Sequence, residues 1–184
     1  MKKVILTLSS MLVVIGAYAQ GTVNFSARVV GVYDAPVYVG TVGGAKADGP
    51  AYLAQLYGGI SDTSLAAVGT AVPFRTGAAA GYWTAAALAI PNVPLGANAQ
   101  VQIKAWAAAS GATYEAAAAA NGAVGQSAIL TVKTGGDGAP PAVPGNLIGL
   151  TSFAIGGGAP VIPEPSILAL GALGGLALLL RRRK

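Results

Sequence analysis

The stretch AQVQIKAW, residues 99–106, decides the fold. Val101, Ile103 and Ala105 fall on one face of an extended chain, and Gln100, Gln102, Lys104 and Trp106 fall on the other. That two-residue period is what a strand with one buried face requires. Working outward, similar short runs recur at 22–33, 36–42, 51–57, 65–77, 81–91, 127–135 and 146–156. Gly43-Gly44, Gly58-Gly59, Pro91-Asn92 and Gly135-Gly136 punctuate them as turn signals. About eight short strands at this spacing predict a mainly β fold, an antiparallel β-sandwich.

One segment departs from the pattern. GATYEAAAAANG (111–122) carries Glu115 near its start, a run of alanines, and Asn121-Gly122 at its end. An acid in the first turn and glycine beyond the last predict one short helix. A helix of about eight residues is marginal alone, so it must pack against the sheets. Core material is scarce. With 39 Ala and 27 Gly in 184 residues, Val, Ile, Leu and the aromatic rings must supply most of the buried area.

The net charge of +5 and a pI near 9.6 suggest nucleic acid until the charges are placed. Lys2, Lys3, Arg181, Arg182, Arg183 and Lys184 are six of the eleven cations, and all are terminal. Between residues 20 and 160, Arg28, Lys46, Arg75, Lys104 and Lys133 balance Asp34, Asp48, Asp62, Glu115 and Asp137. A neutral middle has no basic patch for phosphates, which excludes a nucleic-acid partner.

Both ends have distinct patterns. MKKVILTLSSMLVVIGAYAQG (1–21) places two lysines before an apolar run over 4–15, then Ala17-Tyr18-Ala19 in small-x-small form. This order predicts a signal helix over 1–19, cleaved after Ala19, leaving a β-sandwich domain over 20–158. The tail, 159–184, contains Pro163-Glu164-Pro165, an uncharged apolar stretch over 166–180, and the cluster Arg181, Arg182, Arg183, Lys184. Fifteen residues fall below the usual minimum of about 17 for a span, but Ile162 and the aliphatic stems of the arginines lengthen it. A C-terminal transmembrane helix is therefore expected, with its basic end held in the cytoplasm. Gly171 and Gly175 form a GxxxG that helix packing or mere composition explains equally well.

The ordered combination of Pro-Glu-Pro, apolar span and terminal arginines resembles the PEP-CTERM sorting signal of Gram-negative bacteria. The resemblance implies an exosortase-type processing enzyme as partner, a membrane-embedded protease or transpeptidase acting near the motif. It also implies membrane anchoring through the C-terminal helix, then a cell-surface or extracellular location after processing. The middle is similar to a planctomycete and verrucomicrobial sub-group of such proteins. The similarity rests on AQLYGG (54–59), PFRTG (73–77), GYW (81–83), IKAW (103–106), GATYEAA (111–117) and GLTSFAI (149–155). It implies no particular activity for the domain.

Chemistry is limited by what is missing. The chain has no histidine and no cysteine, which removes imidazole acid–base pairs, thiolate nucleophiles, disulfides and His- or Cys-ligated metals. No cofactor is expected, and no metal. Asp34, Asp48, Asp62 and Asp137 sit beside turn-forming residues and read as solvated turn acids; calcium at some of them is the sharper alternative. The aromatics are either core or a sugar-stacking platform. Trp106, on the polar face of 99–106, is the candidate glycan contact. The expectation is a non-enzymatic structural or adhesive module among extracellular polysaccharides. A carbohydrate-binding module is the alternative, and a carboxylate-based glycoside hydrolase comes last.

Overall fold

The computed structural model describes residues 20–136 and 140–156; the expected signal segment over 1–19, Asp137 and the tail lie outside them. The described chain opens with β1 (Gln20–Phe25). A short hairpin follows, β2 (Arg28–Val29) and β3 (Tyr33–Asp34), and then β4 (Tyr38–Val39). The longer strands are β5 (Tyr52–Gly59), β6 (Ala66–Pro73), β7 (Ala86–Pro94) and β8 (Asn98–Ala107). Helix α1 (Tyr114–Ala119) precedes β9 (Val124–Gln126), β10 (Leu130–Lys133), β11 (Gly145–Asn146) and β12 (Ala154–Ile155). The described residues are mainly β with one short α-helix, as the sequence predicts. None of their helices is long and apolar enough to cross a membrane.

The strands form several sheets. The largest runs β10-β8-β5-β6 with β9 also on β8, a second runs β11-β1-β7, and β12-β4 and β2-β3 are separate pairs. Val23, Phe25 and Ile90 from the second sheet meet Leu56, Val101 and Ile103 from the first in one buried core. Gly58 permits this approach: a Cβ there would stand 2.9 Å from Ile90 Cδ1, tighter than side chains tolerate.

Several expectations need correction: the turn signals Gly58-Gly59 and Pro91-Asn92 lie inside β5 and β7, and the expected strand over 146–156 is reduced to β11 and β12 at its ends. An all-antiparallel arrangement was expected, but β1–β11 and β4–β12 are parallel. Both involve the C-terminal segments, which return along edges left open by strands laid down over a hundred residues earlier. The expected strand over 22–33 also breaks. Ser26 Oγ donates to the Arg28 carbonyl at 2.7 Å and accepts from the Arg28 N–H at 3.3 Å, bending the chain into the β2–β3 hairpin.

Strand β8 is the axis of the larger sheet. It pairs with β5 from Gly59↔Gln100 to Tyr52↔Ala107. Its other edge is shared, with β10 alongside residues 98–101 and β9 alongside 104–106. Ser127 bridges the gap between these partners: the Ile103 N–H donates to Ser127 Oγ at 3.0 Å, and the Ser127 N–H donates to the Ile103 carbonyl at 2.9 Å. Gln102 Nε2 donates to the Ser127 carbonyl at 2.9 Å.

The face expected to be solvated is covered. Trp106, placed by alternation on the polar face as a glycan contact, has no exposed surface. It packs with Tyr57, Tyr114, Ala117 and Val124 in a second, smaller core, because α1 docks over this end of β8. Its Nε1 donates to the Gly111 carbonyl at 2.9 Å, so the indole is satisfied inside the protein. Thr113 caps α1, its hydroxyl accepting from the Ala116 N–H at 3.2 Å. Lys104 lies 3.9 Å from the Tyr57 ring centroid, 4.8 Å from that of Tyr114, and 3.5 Å from Glu115 Oε1. Tyr57 Oη donates to Glu115 Oε2 at 2.9 Å. Partial burial alone would raise the Glu115 pKa, but the Tyr57 hydroxyl and Lys104 ammonium outweigh it and hold the carboxyl below its ordinary 4.5.

Two outcomes test this arrangement. Ser127→Ala removes the acceptor for a buried N–H and should lower unfolding stability by about 1–3 kcal/mol in denaturant melts. Because the folded Glu115 pKa lies below its unfolded value, the contribution of Glu115 is fully present above about pH 4.5 and lost as pH falls through the folded value. Glu115→Gln should therefore flatten the acid side of the stability curve, read from denaturation midpoints at successive pH values.

Candidate functional site

Beside the Ser26 bend, the surface opens into a cleft of about 590 Å³ lined by Arg28, Arg75, Tyr82, Trp83 and Thr84 among others. One wall is the β2–β3 hairpin, where Arg28 pairs across from Asp34. Gly31 adopts φ +78° at its tip, a left-handed turn conformation that favours glycine. The hairpin is tied down by Tyr33 Oη donating to the Ser26 carbonyl at 3.1 Å and the Ala35 N–H donating to the Ala27 carbonyl at 2.9 Å. Val30, at 83% exposure, stands on the rim of the cleft.

The other wall comes from Arg75, Ala78 and Ala79 and from residues 82–85. Phe74 and Trp83 form a β-bridge, and the Arg75 N–H donates to the Tyr82 carbonyl at 2.8 Å. Trp83 stacks on Phe25 with centroids 4.8 Å apart and meets Phe74 edge-on at 5.7 Å. Its Nε1 donates to the Phe25 carbonyl at 3.2 Å. With 4% of its surface exposed, Trp83 is a wall of the core that shows an edge to the cleft.

Asp34 joins the two walls. Its Oδ1 accepts from Tyr82 Oη at 2.7 Å, and its Oδ2 lies 3.7 Å from Arg28 Nε. Burial, together with the hydrogen bond to Asp34 and the charge of that carboxylate, pushes the Tyr82 phenol up to about 12. Tyr82 therefore stays protonated at ordinary pH as a donor to Asp34. Lys46 Nζ lies 5.3 Å from the Tyr82 ring centroid, which brings a third cation beside the cleft.

The guanidinium groups have spare capacity. Among the described residues, Arg75 has no carboxylate within ion-pair distance, and Arg28 meets Asp34 at 3.7 Å through Nε. Each guanidinium carries five donors in a planar fork, so the arrangement can hold a carboxylate or another planar anion over a partly apolar floor.

The residues singled out from the sequence are distributed otherwise. Trp106 is buried under α1, far from a surface role. Ala17, Ala19, Pro163, Glu164, Pro165, Arg181, Arg182, Arg183 and Lys184 lie outside the described residues. Asp48 accepts from the Gly77 N–H at 3.2 Å, and Asp62 opens a short turn after Ser61. Among the described residues, no three carboxylates gather to hold a metal ion. The cleft is not legible in the sequence because Arg28 lies far upstream of Arg75 and Tyr82, and only the fold brings it beside them.

The family model for the PEP-CTERM protein-sorting motif matches residues 161–184. No curated protein and no solved structure matches the chain.

Tyr82→Phe tests the geometry of the cleft. Alkaline titration of tyrosine absorbance should lose one ionisation near pH 12.

Proposed function

We propose that the chain is an exported protein delivered to the cell surface through its tail, where its β-rich domain serves a structural or adhesive role without catalysis. The observation that carries this reading is the match of residues 161–184 to the PEP-CTERM protein-sorting motif. That motif implies processing by exosortase, a membrane enzyme, with the chain anchored in the membrane beforehand. On this reading the 1–19 segment is a signal removed after Ala19, and the 166–180 span holds the protein until the tail is cut. The six short elements in the middle favour the planctomycete and verrucomicrobial sub-group as its source.

The disposition of the acids favours a non-catalytic domain over the hydrolase reading. Asp34 is occupied by Tyr82 and Arg28, while Glu115 is occupied by Tyr57 and Lys104 in a separate cluster. A glycosidase acid needs a carboxyl whose pKa is raised, and Glu115 is shifted the other way.

Mass spectrometry of the C-terminal peptide from membrane and extracellular fractions of the producing cells tests the proposal. The expected chain ends near Pro163 and lacks Arg181, Arg182, Arg183 and Lys184. An intact Lys184 terminus confined to the membrane fraction would mean a plain anchor and would overturn sorting.

A further inference from the structure

We infer that the cleft between the β2–β3 hairpin and residues 75–85 is a binding site for an acidic saccharide, with a uronate carboxylate held by Arg75 and Arg28. The inference stands on the cleft alone and does not depend on how the tail is processed.

Size is the first argument. At about 590 Å³ the cleft lies within the range of about 300–1,000 Å³ typical of small-ligand sites. Charge is the second. The described domain has few cations, yet Arg28 and Arg75 both line this one depression and Lys46 stands over the neighbouring Tyr82 ring. Asp34 offsets one positive charge, and Arg75 has no carboxylate partner among the described residues, so the cleft as described retains a positive excess. Arginine presents parallel donors that match a planar carboxylate, which a lysine ammonium cannot do.

The floor supplies the third argument. Ala78 and Ala79 offer small apolar contacts, and Trp83 and the exposed Thr84 complete the lining beside them. Tyr82 Oη is held by Asp34, which fixes the ring in place beside the opening. A pyranose has apolar faces and a hydroxylated edge, and it suits such a floor. A greasy ligand would strand the guanidinium groups without partners. Carboxylate on the arginines with the ring over the alanines is the arrangement that satisfies both halves.

The test is binding of the full chain in detergent to a polyuronate, with the methyl-esterified polymer and inorganic phosphate as parallel arms. All variants keep the same basic tail, so its contribution is common to every measurement. The expected result is that Arg75→Ala weakens polyuronate binding by about tenfold or more, with far-UV circular dichroism unchanged. Arg75→Lys, which keeps the charge and loses the fork, should fall between Arg75→Ala and the parent. Lys133→Ala, an exposed cation away from the cleft, should bind as the parent does. Equal binding by Arg75→Ala and the parent, or by Arg75→Ala and Lys133→Ala, would overturn the proposal. So would equal affinity for the esterified polymer, which lacks the carboxylate. Phosphate displacing the polymer at matched charge concentration would show an anion site without saccharide selectivity, and the inference would fail.

Discussion

Strand β8 has partners along both edges and cover on both faces, and the rest of the domain is organised by supplying them. One face meets the shared core through Val101, Ile103 and Ala105. The other takes α1 through Trp106 and its aromatic neighbours. The reason lies in composition. A chain this rich in alanine and glycine buries little area per residue, so its few large side chains must each be used fully. A solvated tryptophan would be a large part of the core left outside. Ser127 shows how strictly the central ladder is kept, because one hydroxyl completes the edge where neither β9 nor β10 reaches.

The domain treats its cations in two different ways. Lys104 is enclosed by two tyrosine rings and a carboxylate, and these contacts anchor α1 to the sheet. Arg28 and Arg75 instead stand at an open cleft with donors to spare. The first cluster uses charge to hold the fold together; the second leaves charge available to something outside it. Tyrosine and carboxylate occur in both, through Tyr57–Glu115 and Tyr82–Asp34, and in both the phenol keeps its proton as a donor. Placing the proposed recognition surface on a hairpin and a turn, with the stacked Phe25–Trp83 pair behind them, sets loops on a firm backing.

Short elements of the sequence acquire meaning when the fold brings them together. AQLYGG lies on β5, IKAW on β8 and GATYEAA runs into α1, and these three build the second core together with Val124 of β9. PFRTG and GYW are joined by the Phe74–Trp83 bridge and contribute Arg75, Tyr82 and Trp83 to the cleft. Read singly, none of these strings states a role. Their pairing depends on register across a sheet and on a β-bridge, and neither is written in local spacing.

The alternation of β8 and the short helix were legible because strand period and helix termini are local properties, whereas the turn signals Gly58-Gly59 and Pro91-Asn92 fall inside β5 and β7, where pairing with distant strands overrides them. The sorting tail was legible for the same reason, since its three parts follow one another along the chain. Tertiary structure alone decided that Trp106 is buried, because alternation assigns a face but cannot say that a distant helix will cover it. It also decided that the C-terminal strands pair in parallel, because those partners are edges far upstream. Only folding gathers Arg28, Arg75 and Tyr82 around one opening, since the contact that joins its walls is a hydrogen bond across 48 residues of chain.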